Sequence, residues 1–312
     1  MTVSRFRRCA LAAVATCLLA ACGGSQSTFE PSGTPRGPSA VGAFARSLLY
    51  VSFNTGVEIY TYPSDKPLGS LGVFGYVCSD KFGNIVVAGA AGTSQVWVYP
   101  HGSGQPIAHM YNPGNSGGCS VDPSSENIAV ANPFSGSGGS VVVWPYTHKH
   151  QWRLDRTYTD PNLFGSSYCT YDPQGNLFLD GYTTKRSFIL VELLKGSSTF
   201  TTITLDRVVH NPGSMQWYGN DLAIEDAGKT TGSRAVIYLF AINGSSGHIV
   251  RATKLKDSVS RGQFLILAHS VIGTASQNSV RGLGFWPYPK GGALRRIIST
   301  YGEPFGEALS PK

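Results

Sequence analysis

The chain has 312 residues with 38 Gly, 18 Pro and 11% aromatic side chains, and only 14% of its residues are charged. Hydrophobic residues at 41% can build a sizeable core, so disorder is excluded, and the wealth of Gly, Ser, Thr, Val and Tyr excludes a coiled coil or helical bundle. Lys and Arg number 25 against 18 Asp and Glu, with no basic run that would mark a nucleic-acid surface.

The first element is an export signal over residues 1–21. Arg5, Arg7 and Arg8 form its positive start, and Cys9 to Ala21 is an apolar stretch too short for the ~20 residues of a spanning helix. Leu19-Ala20-Ala21-Cys22-Gly23 resembles the bacterial lipobox, which implies cleavage before Cys22, acylation of that thiol (diacylglyceryl, with palmitate-type chains) and attachment to a membrane. An ordinary signal cut after Ala21, with Cys22 incidental, is the alternative. Gly23 resembles lipoproteins passed to the outer membrane where there is one, so the expected location is the cell envelope. Removing the three Arg leaves 22 basic and 18 acidic side chains, a nearly neutral body. Residues 22–45 form a Ser/Gly/Pro-rich tether. Expected partners are therefore the membrane through its anchor, and an envelope protein, small ligand or saccharide; no nucleic acid is expected.

Cys78, Cys119 and Cys169 remain after processing, an odd number without metal-binding spacing. They read as small buried hydrophobes, with a Cys119–Cys169 bridge as the alternative.

From residue 46 to 312 short apolar runs alternate with turn clusters, the pattern of strands. Leu48–Val51, Asn84–Ala88, Asn127–Ala131, Asn176–Leu179 and Asp221–Ile224 resemble one another, and turns such as Asp80-Lys81-Phe82-Gly83-Asn84 precede all but the first. About ten residues later comes an aromatic run, usually with Pro: Val57–Pro63, Val96–Pro100, Val141–Tyr146, Val236–Phe240 and Phe285–Pro289. Calling these b and c, the a runs are Tyr76–Ser79, Gly118–Val121, Tyr168–Tyr171, Ser214–Trp217, Phe264–Leu267 and Gly306–Leu309, and d runs follow at Trp152–Leu154 and Thr201–Leu205. A period of roughly 37–48 residues with four strands is that of propeller blades. The expectation is all-β: a six-bladed β-propeller of four-stranded blades, entered on a b strand and closed by the C-terminal strand joining the first blade. A β-sandwich shares the short strands but gives no reason for the repeated b and c runs.

The pattern Gly-x-(small)-x-Asp-x-x-Gly-Asn-(apolar)₄, clearest at Gly75–Ala88, resembles NHL-repeat propellers and, more distantly, gluconolactonase-like and lactonase-like ones. Residues just after the b runs should rim the channel: Ser52, Asn54, Gly89, Asn132, Asp180, Glu225 and Asp226, with His269 near the matching point of the last blade. Asp180, Glu225 and Asp226 are the candidate metal ligands, with calcium the cation suited to oxygen donors, or else they cap their own turns. Trp97, Trp144 and Trp286 should pack between blades, or stack on sugars if outward. His148-Lys149-His150 reads as solvated loop. No nucleophile elbow, zinc-protease helix or phosphate loop occurs. The leading expectation is a membrane-anchored lipoprotein whose propeller is a non-catalytic binding or interaction module. The alternative is a metal-dependent lactonase-like hydrolase at the channel mouth.

Overall fold

The computed structural model describes residues 47–89, 93–133, 138–147, 151–153, 156–228, 234–259, 262–300 and 302–312. The export signal, Cys22, the tether and His148 to His150 lie outside them. Among the described residues every regular element is a β-strand.

The chain opens with β1 (Ser47–Phe53), β2 (Gly56–Tyr62) and β3 (Pro67–Leu71). A second group is β4 (Gly75–Ser79), β5 (Ile85–Gly89), β6 (Gln95–Tyr99) and β7 (Ala108–Tyr111). The third is β8 (Cys119–Val121), β9 (Ile128–Asn132), β10 (Ser140–Trp144) and β11 (Arg156–Thr159). Then come β12 (Gly165–Tyr171), β13 (Leu177–Tyr182), β14 (Phe188–Leu193) and β15 (Thr201–Leu205), followed by β16 (Pro212–Tyr218), β17 (Asp221–Asp226), β18 (Val236–Asn243) and β19 (Ser246–Lys254). The last are β20 (Phe264–Leu267), β21 (Ser270–Gln277), β22 (Val280–Pro287), β23 (Arg296–Ser299) and β24 (Gly306–Pro311).

Each group is an antiparallel meander in sequence order, and β24 returns to pair with β1, giving the sheet β24-β1-β2-β3. The groups β12–β15 and β16–β19 are joined at their outer strands by a short parallel contact, Thr204 with Ser246 and Leu205 with Gly247. The first strands of the meanders, together with β24, touch one another in a closed circuit: β24, β4, β8, β12, β16, β20 and back to β24.

The turns between first and second strands show why the recurrent Asp and Asn are there. Asp80 Oδ1 accepts the Phe82 and Asn84 N–H groups, and its Oδ2 accepts the Asn84 amide. Asp172 does the same with Gln174 and Asn176. Gly83 and Gly175 both sit at φ +88°, a conformation that side chains resist, so the Asp-x-x-Gly-Asn motif encodes an Asp-capped tight turn.

Packing lies between neighbouring sheets. One cluster joins Leu48, Tyr50 and Ile59 to Val77 and Val87. The next joins Val86 and Val98 to Ile128, Val142 and Trp144. Further clusters link β9 and β10 to β12–β14, β13 and β14 to β16–β18, β17 and β18 to β20–β22, and β21 and β22 to β1 and β2. Trp144 and Trp286 are buried in these seams, while Trp97 is partly buried against the first.

The inner strands are sheet edges, so their outward N–H groups need partners. Side chains of the preceding inner strand supply them. Ser120 Oγ accepts from Tyr171 N–H, Thr170 Oγ1 from Trp217 N–H, and Ser214 Oγ from Phe264 N–H. Gln216 makes two bonds to the Ile266 backbone; Gln263, just before β20, makes two to the Val77 backbone of β4, which is not the strand next to it in the circuit.

Between β4 and β8 the link is covalent. Cys78 and Cys119 form a disulfide, with Cα atoms 5.8 Å apart, and Cys169 is the buried free cysteine. Neither the all-thiol expectation nor the Cys119–Cys169 bridge holds. The inner strands, which carry all three cysteines, lie side by side, and Cys169 turns its thiol toward the Gly118 and Ala129 carbonyls. Closing a loop of 41 residues restricts the unfolded chain by roughly 4 kcal/mol in the chain-entropy description. A Cys78→Ser, Cys119→Ser double variant should therefore unfold at clearly lower urea, with the wild type matching it once reduced; coincident curves for oxidised and reduced wild type would contradict this.

Two other expectations need correction. The d strand of the third sheet is β11, while Trp152 makes only an isolated bridge to Tyr146. Trp152 is apolar because its ring packs against the third sheet's seam and its Nε1–H donates to the Glu126 carbonyl; the true outer strand, Arg-Thr-Tyr-Thr, is polar and mostly exposed. His269 lies in the turn between β20 and β21, at the opposite end of the strands from the second-strand ends, because β21 begins one residue after it.

Candidate functional site

The second strands deliver side chains to the face where the inner strands begin. Register places Ala88 of β5 opposite Tyr76, and Asp180 of β13 and Glu225 of β17 fall at the equivalent point in their sheets. In those two sheets the pairing slips by one residue, between Ser166 and Cys169 and between Pro212 and Met215. Such a bulge frees N–H groups from the ladder. Asp180 Oδ1 accepts the Tyr168 N–H at 2.8 Å and Ser167 donates as well. Glu225 lies against Gly213, where a Cβ would come within 1.9 Å of its Oε2, so this glycine is what makes room for the acid.

A third acid joins them from β24. Glu307 pairs by its backbone with Val51 and is 3% exposed, and no hydrogen bond reaches either of its carboxylate oxygens. Asp180 Oδ2 is likewise buried without a partner. Burial pushes the Asp180 carboxyl up to about 8 despite its backbone donors. Burial, and then the charge of Glu225, drive Glu307 well above the ordinary carboxylate range.

Tyr168 stands among these groups. Its phenol is raised strongly by burial and then by Tyr76, Glu225, Asp180 and Glu307. Its ring meets Tyr76 edge-on at 5.6 Å, and Tyr76 meets Phe305 edge-on at 5.7 Å. This aromatic trio lies near the starts of β4 and β12 and just before β24. Outside it a groove opens: a hollow of about 260 Å³ lined by Tyr76, Pro133, Ser167, Tyr168, Tyr182, Asn211 and Pro212. It continues into one of about 440 Å³ that shares Pro133, Ser167 and Tyr182 and ends at Phe164 and Arg186.

The rim residues expected from sequence are thus divided. Asp180 and Glu225 come to the channel, whereas Asp226, next along β17, faces away. Burial alone would raise its pKa, but backbone donors of Asn211, Gly228 and His210, with the His210 ring, hold it below the usual range. Ser52 accepts the Gly75 N–H, and Asn132 is buried in a network with Asn112, Ser140 and Ser166. Asn54 lies in the β1–β2 turn and Gly89 packs against Trp97. Among the described residues no three His, Cys, Asp or Glu side chains are grouped so as to hold a metal ion.

Glu307, Tyr76 and Tyr168 escaped the sequence reading. A signal existed for two of the acids. Stacking the b runs places Asp180 and Glu225 in a slot occupied by Ala88 and Ala131, a carboxyl where the pattern demands an apolar group.

No protein family matches the sequence, and no curated protein does. Solved structures do resemble the fold. A protein of unknown function from Bacteroides caccae superposes with a TM-score of 0.62 at 11% identity, over 86% of this chain and 100% of that one. TolB from Acinetobacter baumannii, a β-propeller protein, superposes with a TM-score of 0.57 at 14% identity, over 87% of this chain and 68% of that one. The fold is therefore an all-β propeller type built of four-stranded antiparallel sheets.

Proposed function

We propose that the chain is an exported lipoprotein, anchored through Cys22, whose body is a six-bladed propeller acting as a non-catalytic binding module. The face where the inner strands begin presents the binding surface. The observation that carries this reading is the continuous groove from Tyr76 and Tyr168 to Phe164 and Arg186. Its volume is that of ligand sites, it is walled by aromatic rings, and Phe164 is 52% exposed within it. An interblade disulfide agrees with export, since such bonds persist outside reducing compartments. The six inner strands that touch in sequence, β24, β4, β8, β12, β16 and β20, support the blade count.

The test is chemical crosslinking in membranes, comparing wild type with a Phe164→Ala, Arg186→Ala double variant. A crosslinked neighbour or saccharide present with wild type and lost with the variant, at equal folding, supports the groove; identical crosslinks from both refute it. The anchor has its own test. Cys22→Ser should abolish incorporation of labelled palmitate and release the protein from membranes, and continued membrane retention of a processed chain would overturn the lipid reading.

The metal-dependent hydrolase reading requires Asp180, Glu225 and Asp226 to share a cation. Asp226 engages its own loop instead, so that reading would rest on calcium-dependent stabilisation lost in Asp180→Ala.

A further inference from the structure

A further hollow lies among the inner strands. A cavity of about 170 Å³ is lined by the inner strands, with Val77, Thr170, Met215, Gln216, Gln263 and Leu309 on its wall. The wall's polar groups are largely taken. Gln216 and Gln263 are each bonded twice to backbone, and Thr170 holds the Trp217 N–H. The one carboxyl on this wall is Glu307, nine-tenths buried and more, with both oxygens lacking hydrogen-bond donors.

A buried carboxyl without donors is costly in either protonation state, since it forgoes hydrogen bonds available in water. A ligand that brings donors and positive charge removes that cost. A metal ion needs several oxygens converging at one point. Among the described residues the channel acids do not group so as to hold a metal ion: Asp180 takes the Tyr168 N–H at the β12 bulge and Glu225 lies against Gly213. An ammonium group differs: its three N–H donors diverge, so one carboxylate in a polar wall suffices for a strong, charge-assisted bond. The wall also offers apolar surface at Val77, Met215 and Leu309 for a hydrocarbon stem.

We propose that this inner channel binds the ammonium end of an extended alkylamine, of the kind carried by a lysine side chain or a polyamine, as an ion pair with Glu307. In that ion pair the Glu307 carboxylate accepts from the ammonium, which keeps its three protons. Glu225, whose charge acts on Glu307, adds negative potential. The site is distinct from the groove outside the trio, and either can fail without the other.

Cadaverine, the five-carbon diamine, is the probe. Titration calorimetry on the full folded body near pH 7 should show one site for cadaverine. The uncharged 1,5-pentanediol should not bind. Glu307→Gln should weaken cadaverine at least tenfold, a ΔΔG of about 1.4 kcal/mol, whereas Asp226→Asn and the groove double variant should leave it unchanged. Absence of cadaverine binding, equal binding of pentanediol, or full affinity in Glu307→Gln would each overturn the proposal. So would a calcium-induced rise in melting temperature that Glu307→Gln removes, since that would make the site a metal site. If the Gln variant does not fold, the cadaverine–pentanediol comparison decides alone.

Discussion

A chain cut before Pro304 loses its cooperative thermal transition. The deletion removes β24, which pairs with β1 along six residues from Ser47–Pro311 to Ser52–Gly306. Six of the seven residues of β1 are fully buried in class, among them Leu48, Leu49, Tyr50 and Val51 at 0% exposure, so the cut turns the most buried strand of the first sheet into a bare edge. It also takes Ala308 out of the seam between the first two sheets, and Ser310 from its contacts with the Gly83 carbonyl and His101. Each lost backbone bond is worth about 1 kcal/mol net, before any apolar exposure is counted. A typical domain has only about 5–15 kcal/mol in total. Far-UV circular dichroism against temperature and urea would show a broad, early transition. A midpoint equal to that of the full chain would mean that the first sheet does not depend on the last strand.

The second large effect is a fall in stability as pH rises from about 4 to about 8. Asp180 ionises near 3.8 when unfolded but at about 8 when folded, because burial favours the neutral form. The folded state therefore holds a proton that the unfolded state has released over this window. Its contribution is complete below the unfolded pKa, is lost progressively as pH rises, and is gone above the folded value. At about 1.4 kcal/mol per unit the loss is on the order of 6 kcal/mol. Glu307 shifts in the same direction and steepens the slope. Asp180→Asn keeps an acceptor for the Tyr168 N–H while imitating the neutral acid. It should match wild type at pH 4, exceed it at pH 9, and flatten the profile between. Parallel urea-midpoint profiles for wild type and variant across pH 4–9 would remove Asp180 from this role.

Part of the fold can be read directly from residues. The Asp80 and Asp172 turns are legible because their geometry is local: an Asp side chain capping N–H groups two and four positions on, with Gly at a left-handed position. The apolar second strands are legible because both of their faces are covered. Outer strands are harder. β11 is short, polar and mostly exposed, so it leaves no hydrophobic trace, and the nearby Trp152 draws attention to the wrong place. β14, Phe-Ile-Leu-Val-Glu-Leu, is apolar but lacks the aromatic and proline ending of the other third strands, and the recurring pattern passes over it. The candidate site was half visible. Asp180 and Glu225 follow b runs, as the rim rule requires, but the partner of each is chosen by which way its side chain points, and Glu225 and Asp226 point oppositely because successive residues of a strand do.

The sequence by itself determined the strand class, the repeating unit and its capped turns, because these depend on side-chain alternation and on hydrogen bonds within a few residues. It also contains the signals that make export and acylation the expectation for the first 22 residues. Tertiary structure alone decided which cysteines bond, since Cys78 and Cys119 meet only when β4 lies beside β8. It likewise brought Glu307, 82 residues after Glu225, to the same buried channel. Glu307 meets the other acids through closure of the circuit of inner strands, whereas Cys119 has a cysteine-bearing strand on either side, and the direction of each side chain selects Cys78.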